Sequence, residues 1–466
     1  MPLVTLLLAA LVFALALWLG LYLIARDPAN RALRLAGLGL VAYAAVWGLD
    51  TLYALAPALW LGRLRWPFQC LPAICWSGAA LALLPEELPQ RPRLDRLWRY
   101  AIAPIGGLIC VAGALGLLGD DPTASPPSSG VLIAGVILIA PLFYAAALCW
   151  RARGLVQPRR ANALLLVALI FFGLGTGALL FGPLGLPRLW SLLMVDADLL
   201  FLGLAIAALD AFDQGESLLP DLLRSLTYAG GAALLFGGQV AIAIVLGPGV
   251  TVALAALLLA VVATATATSV FADPLGGLLD RLALNRLPQV REARAELRAT
   301  ATALPRANPA LDPAALDDAE FARLTRRALG HFGDLPRLAV SPLVHLPLID
   351  RRLACRQAPD EPLERAAELK ALLAESIARL KPRTSGGGDF GSSDEWRHYN
   401  ALYFPYVVGL KPYSRRATHD HLDPPARAAL DWFQTAIPER TLHNWQNAAA
   451  KLIAQDLRAR HAGLPG

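Results

Sequence analysis

The stretch Val250-Thr-Val-Ala-Leu-Ala-Ala-Leu-Leu-Leu-Ala-Val-Val-Ala-Thr-Ala-Thr-Ala-Thr-Ser-Val270 holds no charged side chain, and Phe271-Ala-Asp-Pro follows it at once. A helix rising ~1.5 Å per residue needs about 20 such residues to cover the roughly 30 Å of hydrocarbon in a bilayer. No alternation of period two competes with that reading, so the segment reads as a membrane-crossing helix. Beyond Phe271 charged residues become frequent, and Phe271 therefore marks the junction between an apolar part and a charged helical tail. The overall 56% hydrophobic and 17% charged composition averages these two parts and conceals the contrast.

Working back from this segment, eight more apolar runs of similar length are found. The nine expected spans are Leu3 to Ile24, Leu35 to Ala56, Pro67 to Leu84, Tyr100 to Leu118, Val131 to Trp150, Ala161 to Phe181, Ser191 to Leu209, Leu223 to Leu246 and Val250 to Val270. The fold class that follows is all-α, a polytopic transmembrane helix bundle over residues 1–271 with a helical region after it. Arginine alternates between loops: Arg26, Arg31 and Arg34, then Arg91, Arg93, Arg96 and Arg99, then Arg151, Arg153, Arg159 and Arg160 follow the first, third and fifth spans. Cytoplasmic loops retain Arg and Lys, so the amino terminus is expected outside and the tail inside, in the plasma (inner) membrane. Seven spans and a re-entrant pair fit the same pattern. The leading segment lacks a basic flank before it and meets Arg26 directly after it, which reads as a retained anchor and not a cleaved signal.

Chemistry is sparse in the spans. Cys70, Cys75, Cys110 and Cys149 lie in apolar runs and Cys355 stands alone in the tail, which supports neither a disulfide framework nor a zinc site. All seven histidines follow Phe271, and no span carries a nucleophile with a base or a relay of charges; catalysis, transport, a resident metal and a cofactor are not expected. Ionisable residues inside a bilayer cost several kcal/mol and so mark candidate sites. Asp50 in the second span, and Arg188, Asp196 and Asp198 around the start of the seventh, all fall toward the outer face. With Arg63, Arg65, Trp60, Trp66 and Trp190 at that level they form a candidate ligand-binding pocket, against the alternative of ordinary helix-end and interface residues.

The stretches Ile24-Ala-Arg-Asp-Pro-Ala-Asn-Arg-Ala-Leu-Arg leading to Trp47-Gly-Leu, Ala208-Leu-Asp-Ala-Phe-Asp, and Phe271-Ala-Asp-Pro-Leu-Gly-Gly-Leu-Leu-Asp-Arg-Leu resemble the multi-span sensor region of some bacterial histidine kinases. The resemblance runs to about Leu287 and implies perception of a stimulus through the bilayer. The kinase core is not found: His331 lacks the acidic and arginine-proline surroundings of a phospho-acceptor, and Gly386-Gly-Gly-Asp-Phe-Gly opens no nucleotide-binding helix.

That glycine run reads as a linker over residues 384–393, dividing the tail into a helical connector, 272–383, and a terminal domain, 394–466. In the connector, helices are expected from Val290 to Leu304, Leu316 to Phe332 and Glu361 to Leu380. The last repeats Leu363, Ala366, Leu369, Leu373, Ile377 and Leu380, with Glu364, Arg365, Glu368, Lys370, Glu375 and Arg379 opposite. Its apolar face suits either packing within the tail or a homodimer contact with a second copy of the chain. Ala339 to Ile349 reads as a proline-broken apolar connector. In the terminal domain Trp396, Tyr399, Tyr403, Tyr406 and Leu410 form an aromatic stripe that Pro405 is expected to kink.

Helices from Pro425 to Ala436 and Arg440 to Arg460, separated by Ile437-Pro-Glu, read as a helix-turn-helix pair. On the last, Leu442, Trp445, Ala449, Leu452, Ile453 and Leu457 point one way, while Arg440, His443, Asn444, Asn447, Lys451, Gln455 and Arg458 line the other. Asparagine, glutamine and arginine are the side chains that pair bidentately with base edges, and Lys451 and Arg458 could neutralise phosphates, so Arg440, His443, Asn444, Asn447, Lys451 and Arg458 are the DNA-binding candidates. Pro438-Glu-Arg-Thr-Leu-His-Asn-Trp-Gln-Asn-Ala-Ala-Ala-Lys-Leu-Ile-Ala-Gln-Asp-Leu resembles the recognition half of region four of sigma factors, with Lys411 to His421 as an insertion that the pattern lacks. From Arg397 onward nine Lys and Arg face five Asp and Glu, a net +4 that is modest for phosphate neutralisation. The sequence therefore suggests a membrane sensor and DNA-binding transcriptional regulator. The alternative is a membrane adaptor or structural protein whose tail binds a cytoplasmic protein partner.

Overall fold

The computed structural model describes residues 2–84, 88, 90–118, 128–151, a few positions within 163–170, 188–214, 216–247, 249–306, 311–313, 315–382, 389–414 and 422–462. Among these there is helix and no strand. The chain divides into two compact units, one of residues 1–210 and 221–279, the other of residues 211–220 and 280–466.

The first unit is built of α1 (Leu3–Arg26), α2 (Arg31–Leu55), α3 (Leu59–Ala82), α4 (Arg91–Ala114), α5 (Ser129–Arg151), α6 (Arg188–Gln214), α7 (Leu218–Leu246) and α8 (Val252–Val270). Six of them, α1, α2, α4, α5, α7 and α8, are long and apolar enough to cross a membrane. Helices α3 and α6, at 24 and 27 residues, stand where two further spans were expected. The span expected from Ala161 to Phe181 lies almost wholly outside the described residues. A bilayer offers no partner for backbone groups, which favours helix throughout. In α8, Thr264 donates its hydroxyl to the carbonyl of Ala260, and Thr268 and Ser269 likewise donate to Thr264 and Ala265, each at 2.8 Å.

Apolar helices gain little from burying apolar surface away from lipid, so close packing must hold them together. Between α1 and α2 a Cβ added at Gly37 would lie 2.5 Å from the carbonyl oxygen of Gly20, and one added at Gly20 would lie 2.8 Å from that of Gly37. The two backbones therefore touch at this crossing, and no larger residue fits either position.

The second unit holds α10 (Pro288–Ala303), α11 (Asp318–Gly330), α12 (Leu335–Ala339), α13 (Pro347–Arg356), α14 (Pro362–Arg379), α15 (Arg397–Leu402), α16 (Pro424–Ala436) and α17 (Glu439–Ala462); α9 (Ala272–Ala283) leads into it. Helix α11 starts where the Asp317 carboxylate accepts from the amide of Glu320 at 2.7 Å, and α12 where Asp334 caps Arg337. The expected proline-broken connector is more ordered than its sequence suggests. Pro342–His345 forms a 3₁₀ turn, and Pro347 sits in the first turn of α13, where its missing N–H costs nothing.

The expected division at residues 384–393 does not divide the core. Phe321, Leu324 and Leu329 of α11, Leu369, Leu372, Leu373 and Ile377 of α14, Trp396, Tyr399 and Leu402 around α15, and Ala449, Ile453 and Leu457 of α17 are all buried in one cluster. Residues 383–388 lie outside the described set, whereas Phe390 packs edge-on against Phe404 and Trp432, and the Asn400 amide donates to the carbonyl of Gly391 at 2.8 Å. Glu368, expected on the polar face of α14, is buried, because Arg352 and Arg356 of α13 reach across to its carboxylate. The rest of that helix buries its apolar face within the tail, as one of the two expected alternatives required.

Pro405 changes the helix type instead of simply bending it. Without a proline N–H the regular ladder breaks, and Tyr403–Val408 forms a π-helical turn. It closes at Gly409, whose φ of 85° lies in the left-handed region, and the Leu410 amide donates to the Phe404 carbonyl at 2.9 Å. Nothing approaches within 4 Å of a Cβ at Gly409, so only backbone strain opposes a side chain there. Gly409→Ala should thus cost about 1 kcal/mol in thermal unfolding of the tail, without altering its helix content.

Candidate functional site

The second helical turn from the end of α1, the start of α2, the end of α6 and the start of α7 converge on one guanidinium. Arg26, with a fully buried side chain, donates Nε to Asp210 at 3.0 Å and Nη1 to Asp221 at 3.1 Å. The Tyr22 hydroxyl donates to the same Asp221 oxygen at 2.8 Å and accepts from Arg26 at 3.2 Å. Asn30 caps α2 through its side-chain oxygen on the Ala32 amide, leaving its amide nitrogen to donate to Asp210 at 3.0 Å. Trp18, stacked with Tyr22, donates its indole N–H to Ser225 at 3.1 Å.

Helix dipoles explain part of this placement. Arg26 closes α1, where carbonyls gather negative charge, and Asp221 opens α7, where amides gather positive charge. Asp210 lies near the carboxyl end of α6, where a dipole disfavours it, and depends on Arg26 and Asn30 for compensation. Two carboxylates sharing one guanidinium in a buried site bind strongly only while every partner stays in place. Such a cluster can hold four helix ends in one arrangement and release them when a member is lost.

The segment Ala211–Pro220, bracketed by Asp210 and Asp221, belongs to the tail unit. There Arg323 of α11 stacks over the Phe212 ring at 4.5 Å and donates to the Phe212 carbonyl at 2.6 Å, and the Ser217 amide donates to the Arg306 carbonyl at 2.7 Å. Its two ends are thus peptide-bonded to the two acids that hold Arg26.

The expected outward pocket takes a different form. Asp50 is paired with Arg65 at 2.7 Å, both largely buried, and the Arg65 guanidinium lies 4.6 Å from the centre of the Tyr53 ring. Trp66 is buried and Trp60 exposed. This is a closed ion pair that joins α2 to α3. Asp198 is half-buried on α6, and the side chains of Arg188, Trp190 and Asp196 lie outside the described residues.

At the other end of the chain, α16 and α17 are joined by Ile437 and Pro438, over which the Tyr413 hydroxyl donates to the carbonyls of Ile437 at 2.7 Å and Phe433 at 3.3 Å. Arg440, His443, Asn444 and Lys451 are exposed on α17, while Leu442, Ala449, Ile453 and Leu457 are buried beneath them. Asn447 is half-buried. Arg458 departs from the expected role: it donates to Asp318 and to the carbonyls of Leu316 and Asp317, with its guanidinium 4.8 Å over the Phe321 ring. Half-buried, it secures the start of α11, and its guanidinium is engaged there. The aromatic stripe is core as well, with Tyr399 stacked on Tyr403 at 4.9 Å inside the tail. The insertion expected from Lys411 to His421 lies outside the described residues from position 415 onward.

In the sequence Arg26 stands out only as one of the loop arginines that set topology, and nothing singles out Asp221. The available signal was that Arg26, Asn30 and Asp210 all lie in the stretches quoted above for their family likeness. Comparison with protein-family models, curated proteins and solved structures finds no match to this chain.

Proposed function

We propose that the protein is a membrane-embedded one-component regulator, with its amino terminus outside, nine spans and its tail in the cytoplasm, whose final helix engages DNA. The observation that carries this reading is the split of α17, whose apolar face is locked in the tail core while Arg440, His443, Asn444 and Lys451 remain exposed along it. Helices α16 and α17 act as the helix-turn-helix pair. The Arg26 cluster is the element that a signal would rearrange, and Ala211–Pro220 passes the change to the tail.

One observation favours a protein-binding output instead. With Arg458 turned inward, Arg440 and Lys451 are the exposed cations of this face among the described residues, and they stand about 16 Å apart along the helix at ~1.5 Å per residue. The full chain in lipid nanodiscs, titrated with random-sequence duplex DNA and followed by anisotropy, separates the two. Saturable binding that weakens steeply with salt and disappears in the Arg440→Ala, Lys451→Ala double variant is expected. In a selected site, Asn444→Ala should relax preference at one base pair, worth about 1–3 kcal/mol. Absence of binding at low salt by the folded protein would move the output to a protein partner.

A further inference from the structure

Two cysteines that the function above does not use are brought together inside the membrane unit. Helices α3 and α4 run antiparallel, as three facing positions record. A Cβ at Gly106 would lie 2.5 Å from Ile74, and a Cβ at Gly113 would lie 2.5 Å from Trp66. Between these contacts, Cys110 reaches over the turn that holds Pro67, with its Sγ 3.8 Å from the Pro67 carbonyl oxygen, and the antiparallel register that pairs Gly106 with Ile74 and Gly113 with Trp66 sets Cys110 opposite Cys70. Glycines on either side of Cys110 allow close approach of the two helices, and a disulfide requires Cα atoms about 4.4–6.8 Å apart.

The surroundings select the oxidant. Cys70 is fully buried and Cys110 nearly so, both well inside spans, so a water-soluble oxidant has hydrocarbon to cross. The opposite face of α4 exposes Ile105, Leu108 and Val111, an apolar surface suited to lipid. An apolar cavity of about 250 Å³, lined by Ile74, Ser77, Ile105, Gly106, Leu138 and Pro141, opens between α3, α4 and α5. Ile74 and Gly106 lie one helical turn from Cys70 and Cys110 respectively, so the cavity adjoins the thiol pair.

We propose that Cys70 and Cys110 form a reversible disulfide between α3 and α4, and that the oxidant is a quinone-class molecule dissolved in the bilayer. The step balances: two S–H bonds break, one S–S bond forms, and two electrons and two protons pass to the quinone, whose carbonyls become the two hydroxyls of a hydroquinone. The two facing sulfurs give the intramolecular step a high effective concentration. This inference does not depend on the DNA-binding reading, since it concerns the membrane unit alone.

The test uses the full chain in lipid vesicles with decylubiquinone, whose fully substituted ring offers no free position for thiol addition. Denaturation, maleimide labelling and peptide mass analysis follow. The expected result is loss of label from two of the five cysteines, a linked peptide containing Cys70 and Cys110, and recovery of both thiols with dithiothreitol. Cys70→Ser should then retain label on every remaining thiol, while Cys75→Ser should still give the linked peptide. Retention of all five labels with decylubiquinone would overturn the proposal. So would cross-linking by copper–phenanthroline without cross-linking by the quinone, or a linked peptide joining Cys75 to Cys110.

Discussion

Arg26→Leu should be the most damaging single substitution in the membrane unit, lowering stability by about 3–5 kcal/mol in denaturant titration of the protein in mild detergent. The leucine fills similar space, so the loss comes from the acids. Asp210 and Asp221 lose their shared guanidinium in a buried site. Asn30 and Tyr22 still donate to them, but two neutral donors do not replace a cation. Combining Arg26→Leu with Asp210→Asn and Asp221→Asn removes the stranded charge and should restore most of the loss. A single-variant cost below about 1 kcal/mol would show that the cluster does not hold the helices.

The second large effect lies in the tail. Phe321→Ala removes a ring that is 1% exposed and on which the Arg458 guanidinium rests, and it should cost about 3–5 kcal/mol. Since α11, α14, α15 and α17 share that core, the loss should appear as one cooperative transition of the whole tail. Two separated transitions, with that of residues 394–466 unchanged, would contradict a common core. An accompanying fall in protection of α17 amides, measured by hydrogen exchange, is expected because Arg458 loses its seat.

Helix positions were largely legible, because apolar length and helical spacing are written residue by residue. Leu369, Leu373 and Ile377 declared their face of α14 correctly, as did Ala449, Ile453 and Leu457 on α17. Pairings between distant residues were not. Nothing local to Arg26 says that its partners are nearly two hundred positions away, and nothing local to Glu368 or Arg458 distinguishes a solvated charge from one turned inward to a helix end. Asp50 was picked out because acids in spans are rare, yet the same rarity is met by Arg65 beside it, so the anomaly is balanced within the bundle. The glycine run was read as a boundary from composition alone, whereas the aromatic residues just after it, Phe390 and Trp396, belong to cores on either side of α15.

The placement of α17 also bears on how the chain is made. The apolar face of α11 meets its partners on α17 only after more than a hundred further residues have been added. During synthesis Phe321, Leu324 and Leu329 therefore have no complete core to enter, and the tail acquires its fold after translation of residues 449–457. By then α1 to α8 are complete, since they precede the tail in the chain. A ribosome stalled before Ala449 would display an unfinished apolar surface, which is the kind of surface that chaperones bind.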